Sequence, residues 1–414
     1  MEEPRQSPSR IGSDRPLLER SEQLGALGEM LNHAVQGAGR LAVVRGDAGA
    51  GKTVLLRSFV ADLPADVAAA IGYCDGIATP RPLSPIHDLG RAIGNGLTDL
   101  LQRSASREEI RDHILERFER QPAVLAIEDI QWADDATLDL VRMLGRRIDV
   151  TSALLILTYR EEHQPSGAIA RLLAQLATSP SARQVEVPPL SRSALTAMAA
   201  GTSVDPDELY RLTSGNAFFA SEMLAAGGAA LPRSVRDLIR GRVADLDARA
   251  RSALDAAAVI GSRTEPWLLA AVAGESLPGI DDAIAAGLVV SEAEGIAFRH
   301  ELARVAVLDD LPAIRAIGLH RSALAALRRG GVTDAARLAH HAEGAADGAA
   351  VLEHAPNAAR QAIDNGAFRE GIAQLRRALR FATGADPLRA DLLERLGDAE
   401  MVIANGVEAD EAWT

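Results

Sequence analysis

Apolar residues recur at threes and fours from Leu24 through Leu27, Leu31 and Val35, the spacing of one helix face, until Gly37 and Gly39 stop it. The run Leu41-Ala42-Val43-Val44 is apolar at every position and reads as a buried strand, and Val54 to Phe59 as the helix after it. The alternation continues. Val67 to Tyr73 predicts a second strand, and Ile86 to Phe118 a mainly helical stretch with polar breaks near Asn95 and Ser104. Ala123 to Ile127 predicts another buried strand, followed by a helix from Thr137 to Arg147. Ala153 to Leu157 is a strand ending in Thr158-Tyr159-Arg160, and Gln184 to Val187, before Pro188-Pro189, is the last. Strands alternating with helices predict an α/β domain over 17–190, a parallel sheet with right-handed crossovers.

Beyond Ser191 the pattern is helical, with turns at Asp205-Pro206 and Gly215-Asn216, giving a small helical unit over 191–230. Pro232 suits a first helical turn, and Val235, Leu238, Ile239, Val243 and Leu246 form one apolar face. Leu288-Val289-Val290 and Ile296-Ala297-Phe298 flank a polar, glycine-bearing turn, a hairpin signal. Helices and then a hairpin predict a winged helix over 231–325. The rest, 326–414, reads as helical repeats, similar to tetratricopeptide repeats, with Asn365-Gly366 and Asn405-Gly406 each punctuating a helical pair. Continuing that register puts Trp413 inside a helix, so a truncated array and a longer natural chain are expected. Residues 1–16, with Pro4, Pro8, Pro16 and several serines, are expected to be a disordered tail.

Composition narrows the function. A chain of 414 residues is too long for one ordinary core. Hydrophobic residues make up 47% but aromatics only 3%, so alanine and leucine carry the burial. The net charge of −13 argues against a free-standing nucleic-acid binder. The expected winged helix does not reverse that: residues 231–300 carry eight Lys/Arg and ten Asp/Glu. A structural or regulatory role for it is favoured over DNA contact. A single cysteine, Cys74, rules out an intrachain disulfide framework and fits a reducing compartment. The first 13 residues lack the apolar core of a signal peptide, and no apolar run approaches the roughly 18 residues that span a bilayer. A soluble cytoplasmic protein is expected.

The chemistry begins where the first strand ends. Gly46-Asp47-Ala48-Gly49-Ala50-Gly51-Lys52-Thr53 fits G-x-x-x-x-G-K-[ST] between a strand and a helix, the context a phosphate-binding loop requires. Glycines let successive N–H groups curl around one anion, and the helix N-terminus adds partial positive charge. Lys52 is assigned to β- and γ-phosphate oxygens and Thr53 to Mg²⁺. Glu128-Asp129 closes the third apolar run, on the sheet edge where such folds bind ligands. Glu128 is expected to hold Mg²⁺ and Asp129 to polarise the attacking water. Arg160, at the end of the next strand, has two readings: a reach to the γ-phosphate, or a solvated pairing with Glu161 or Glu162. His340 and His341 are adjacent, so on a helix their side chains diverge and a metal pair is not expected.

In this order the motifs resemble the STAND class of signalling ATPases, and within it the large ATP-binding regulators of the LuxR family, over about 17–325. The segment Leu17 to Leu24 resembles the family's leading motif and brings in Arg20 as a nucleotide-side residue. Ile127-Glu128-Asp129-Ile130-Gln131-Trp132-Ala133-Asp134 is similar to its acidic strand, and Thr158-Tyr159-Arg160 to its sensor strand. Gly215-Asn216-Ala217-Phe218-Phe219 resembles the motif that sets a proline near adenine, although Ala217 stands where that proline belongs. Phe298-Arg299-His300-Glu301-Leu302 resembles the segment ending in a phosphate-sensing histidine, with His300 or His320 as the candidate.

The resemblance implies an ATP/ADP- and Mg²⁺-dependent switch that turns over slowly. An inducer or regulatory protein would act at the helical repeats, and activation would allow self-association. DNA would be met only through a C-terminal helix-turn-helix outside these residues, and no membrane is involved. The alternative is a DNA-associated, initiator-like AAA ATPase, or a stand-alone ATPase with no transcriptional role.

Overall fold

The computed structural model describes residues 17–74, 81–103, 105–161, 167–225, 235–292, 295–299, 301–383 and 387–412. The expected tail (1–16), Pro232, His300 and Trp413 lie outside them.

The first part contains α1 (Ser21–Val35), β1 (Arg40–Gly46), α2 (Lys52–Ala61), β2 (Ala68–Tyr73), α3 (Ser84–Ile93), α4 (Asn95–Gln102), α5 (Arg107–Arg120) and β3 (Ala123–Glu128). It continues with α6 (Asp135–Gly145), β4 (Ala153–Arg160), α7 (Gly167–Ala177) and β5 (Ala182–Glu186). The strands form one parallel sheet in the order β2-β3-β4-β1-β5. Alternation explains why β3 and β4 look apolar throughout. Leu125, Ile127, Leu155 and Leu157 point to the face covered by α3–α7, while Val124, Ala126, Leu154 and Ile156 point to the face covered by α1 and α2. The polar breaks anticipated near Asn95 and Ser104 divide the helical stretch into three. Gly94, at φ +124, separates α3 from α4, and Ser106 caps α5 in a reciprocal box with Glu109.

Three helices follow, α8 (Arg192–Ala199), α9 (Pro206–Thr213) and α10 (Ala217–Ala225), around a small core of their own. The next unit comprises α11 (Val235–Asp245), α12 (Ala248–Ile260), β6 (Arg263–Thr264), α13 (Pro266–Ala273), α14 (Ile280–Ala285), β7 (Val289–Glu292), β8 (Gly295–Phe298) and α15 (Glu301–Asp310). The anticipated hairpin pairs Val289 with Phe298, and β6 adds a third antiparallel strand beside β8. On α12, Ala253, Ala256, Ala257 and Ala258 are all buried, so small side chains let neighbouring helices approach closely.

The last helices are α16 (Ala313–Arg329), α17 (Ala335–Gly344), α18 (Gly348–Asp364), α19 (Phe368–Phe381) and α20 (Pro387–Ala412), each packed on the next. One apolar core continues from Phe218 to Leu392, and α16 runs across the expected boundary near residue 325. One expectation fails here. Asn365-Gly366 does separate α18 from α19, but Asn405-Gly406 lies within α20 and breaks nothing. A lone glycine costs a helix only about 1 kcal/mol, which a long helix tolerates. Among the described residues, no helix is long and apolar enough to cross a membrane.

Candidate nucleotide site

The loop between β1 and α2 takes its shape from its glycines. Gly46, Gly49 and Gly51 have φ of +157, +79 and +99, values that side chains disfavour. A Cβ on Gly46 would stand 2.6 Å from the Val187 carbonyl oxygen, so the loop is pressed against the end of β5. At Gly51, by contrast, a Cβ would meet nothing within 4 Å among the described residues. The loop therefore opens on that side, at the N-terminus of α2. Lys52 opens α2, is buried, and donates from Nζ to the carbonyls of Gly46 (2.7 Å) and Asp47 (2.9 Å).

Strand β4 lies between β1 and β3, which places the acids of β3 across from the loop. Thr53 Oγ1 donates to Glu128 Oε2 at 2.5 Å, joining residues 75 apart in sequence. The other carboxylate oxygen, Glu128 Oε1, is buried with no hydrogen-bond partner among the described residues. Burial pushes the Glu128 carboxyl up, opposed by the Thr53 hydrogen bond.

Asp129 follows at φ +58, turning its side chain off the strand, and its N–H donates to Thr158 Oγ1 on β4 at 2.8 Å. Arg160 donates to both oxygens of Asp129, from Nε at 3.1 Å and Nη2 at 2.7 Å, and Gln131 Nε2 adds a bond at 2.9 Å. Burial opposes the charge of Asp129, but the Arg160 bonds, with Gln131 and Lys52, hold its carboxyl below the ordinary range. The guanidinium of Arg160 is forked onto Asp129, while Glu161 pairs with Arg45 at 3.0 Å and Glu162 lies outside the described residues.

Arg20, implied by the resemblance as a nucleotide-side residue, meets the glycine loop through its backbone. It is 2% exposed and donates from Nη2 to the carbonyls of Ala50 (3.0 Å) and Pro188 (2.9 Å), bracing the loop from behind. The neighbouring Glu19 accepts from the Ser191 N–H at 2.8 Å and from its hydroxyl, joining the leading segment to the start of α8.

The α9–α10 turn sits on the loop itself. Asn216 Nδ2 donates to the Ala48 carbonyl at 2.7 Å, and the Phe218 N–H donates to the Gly49 carbonyl at 3.0 Å. Asn216 Oδ1 meanwhile accepts from the Phe219 N–H, so the same side chain starts α10. A Cβ on Gly49 would stand 2.7 Å from Asn216 Oδ1, which gives that glycine a second reason to be one. The β6–β8 sheet also reaches the site. Glu292 of β7 pairs with Arg57 of α2 (2.7 Å) and with Arg263 (3.0 Å), and the Arg263 guanidinium lies 3.3 Å from the centre of the Tyr73 ring.

Residues 16–157 match the AAA ATPase domain family. The chain carries an AAA ATPase domain. The whole fold is similar to that of the Signal Transduction ATPase with Numerous Domains (STAND) protein with a tetratricopeptide repeat sensor from Pyrococcus horikoshii. That protein is 16% identical, with a TM-score of 0.59 over 94% of this chain and 62% of that one. The Walker-type ATPase of Pyrococcus abyssi is 18% identical, with a TM-score of 0.40 over 72% of this chain and 99% of its own. An uncharacterized protein of Rhizobium meliloti is 25% identical over 40% of this chain and 20% of its own length. The chain thus spans about a fifth of that curated relative and less than two thirds of the solved STAND protein.

An AAA domain implies a nucleotide, usually with Mg²⁺, and the residues present fit both. The loop offers curled N–H groups and an open side at Gly51. Glu128 Oε1 is a buried, unpartnered acceptor beside a hydroxyl, the hard oxygen pair that Mg²⁺ takes. Of the residues singled out in the sequence, Gly46 to Thr53, Glu128, Asp129 and Arg160 lie together at one edge of the sheet. Sequence reasoning missed Asn216 as a residue touching the loop, and also Arg57, Tyr73, Arg263 and Glu292. The Gly-Asn dipeptide was visible as a turn, but nothing local indicated that the turn rests on Ala48.

Proposed function

We propose that the chain is an ATP-binding signalling ATPase working as a conformational switch, and the regulatory part of a LuxR-type transcriptional regulator. The observation that carries the ATPase reading is the Thr53–Glu128 pair with its bare buried oxygen at the mouth of the glycine loop. The loop N–H groups from Gly46 to Thr53 would hold the phosphates, and Lys52 would move from the carbonyls of Gly46 and Asp47 to β- and γ-phosphate oxygens. Mg²⁺ held by Thr53 and Glu128 would supply neutralisation of phosphate charge. Asp129 would orient the attacking water, a task it can perform only once Arg160 releases it. A γ-phosphate is the anion suited to draw Arg160 away, so nucleotide state and the Arg160 position are coupled.

The switch needs nucleotide to bind two arrangements with unequal affinity. Contacts of the α8–α10 lid with Ala48 and Gly49 support this, as does Arg263 beside the acid site. In this reading α11–α15 is a winged helix serving regulation, which its excess of acids over bases supports. ADP would hold the closed form. An inducer at α17–α20 would open it and allow self-association, with DNA met through a helix-turn-helix elsewhere in the full protein. The motif order supports the LuxR-type assignment, and a longer reading frame ending in that module is its test.

Calorimetry on the full chain with Mg²⁺ tests the site. ATP binding is expected, and Lys52→Ala should weaken it on the order of 10- to 100-fold, the worth of a charge-assisted contact. Unchanged affinity in Lys52→Ala would remove the site.

A further inference from the structure

Three imidazoles meet where α16 packs on α17, away from the glycine loop. His320 comes from α16, and His340 and His341 from α17. The ring centres are 5.2 to 5.4 Å apart, and one nitrogen from each ring lies within 4.8 Å of the others. Adjacent positions on a helix diverge, which argued against His340 and His341 as a pair. The third ring, from the facing helix, lies across both. Gly344 gives it room, since a Cβ there would stand 2.4 Å from His320 Cγ.

His341 has no exposed surface, and its Nδ1 lies 3.1 Å from Nδ1 of His320. Its Nε2 is buried without a hydrogen-bond partner among the described residues. Whichever ring donates in the His320–His341 contact, one nitrogen of His341 stays unsatisfied. That costs about 1–3 kcal/mol. An ion taken by the two Nδ1 atoms would replace their mutual hydrogen bond and leave Nε2 to carry the ring's proton.

The rings are kept in the state that binds metals. Burial holds all three below the ordinary histidine range, His340 down to about 3, with the neighbouring rings adding to the effect on His340 and His341. The charges facing the cluster are Arg304, Arg337 and Arg377. Arg337 is forked onto Glu265, and Arg377 is paired with Glu343 at 2.8 Å, so acids balance two of them. Neutral imidazoles suit zinc, copper or nickel ions, not magnesium or calcium. A tetrahedral ion with bonds of about 2.0–2.1 Å wants donors roughly 3.3 Å apart, close to the His320–His341 spacing.

We propose that His320, His340 and His341 form a three-histidine site for a divalent transition-metal ion of the zinc class, with water or an exchangeable ligand completing the coordination. The ion would staple α16 to α17, and so fix the angle at which the helical array leaves the α11–α15 unit.

The full chain, stripped with chelator and dialysed, is titrated with Zn²⁺ and separately with Co²⁺. One equivalent of Co²⁺ is expected to give the visible bands of a nitrogen-ligated ion without intense thiolate absorption. Zn²⁺ should raise the melting temperature by several degrees through binding the folded state. The double variant His320→Asn/His340→Gln should lose both responses while keeping the far-ultraviolet dichroism and cooperative melting of a folded chain. A folded wild-type chain that takes up neither ion stoichiometrically overturns the proposal, and so does uptake that survives in a folded double variant. Should that variant fail to fold, the Co²⁺ titration of the wild type still decides.

Discussion

Arg160 holds both oxygens of Asp129, and a carboxylate so held is a poor acceptor for a proton from water. If a γ-phosphate draws Arg160 off, the freed carboxylate can serve as the base, and Asp129→Asn should keep ATP affinity within a few-fold while single-turnover phosphate release falls on the order of 100-fold or more, the usual worth of a general base. Retained turnover would move the role elsewhere, with Glu128 the next candidate. At this scale the glycine loop was legible because each fixed position of its motif has a local chemical duty. The Arg160–Asp129 fork was not. Its partners are 31 residues apart, and they meet only because β4 lies beside β3. For the same reason Arg20, at the front of α1, could not be seen to brace Ala50 and Pro188 from behind.

Between elements, the α8–α10 unit grips the loop directly, through Asn216 and the Phe218 N–H. Asn216 uses its amide nitrogen on Ala48 and its amide oxygen to start α10, so Asn216→Ala removes a latch and a helix cap together. The expected cost is about 1–2 kcal/mol of stability, with nucleotide dissociation faster by several-fold in a stopped-flow chase. Dissociation unchanged from wild type would mean that the lid plays no part in retaining nucleotide. The central strands β1, β3 and β4 were readable because burial on both faces makes each a largely apolar run, whereas the edge strands β2 and β5 are partly exposed. Strand β6 was not, being two residues long and defined only by its pairing with β8. The Asn405-Gly406 misreading has the opposite origin: turn chemistry at those two residues yielded to the helix on either side of them.

Over the whole molecule, the array returns to the AAA domain. Ala362 and Ala367 join the core beneath α3–α7, and Arg369 lies 3.4 Å from Asp135. Glu370 is half-buried there, and burial with the charges of Asp134 and Asp135 lifts its carboxyl to about 7, with Arg369 pulling the other way. Its folded value lies above the 4.5 of a free carboxyl, so between these limits the folded chain keeps a proton that the unfolded chain gives up. Glu370 thus contributes stability at low pH that is lost as pH rises through about 7. Between pH 5.5 and 8, Glu370→Gln should gain on wild type by on the order of 1–3 kcal/mol in chemical denaturation. Equal curves for the two chains would refute the assignment. The buried histidines titrate in the opposite sense in this range, and comparing the two chains cancels them.

Three downstream pieces therefore hold one AAA domain: the lid at Ala48, the small sheet through Glu292, and the array through Arg369. The polypeptide closes on itself like a bracelet with several clasps. In such a ring no joint can be undone alone without bending the others. If the chain switches as proposed, a weak pull at the far helices and a single phosphate at the near loop would bias the same opening, each making the other's work smaller.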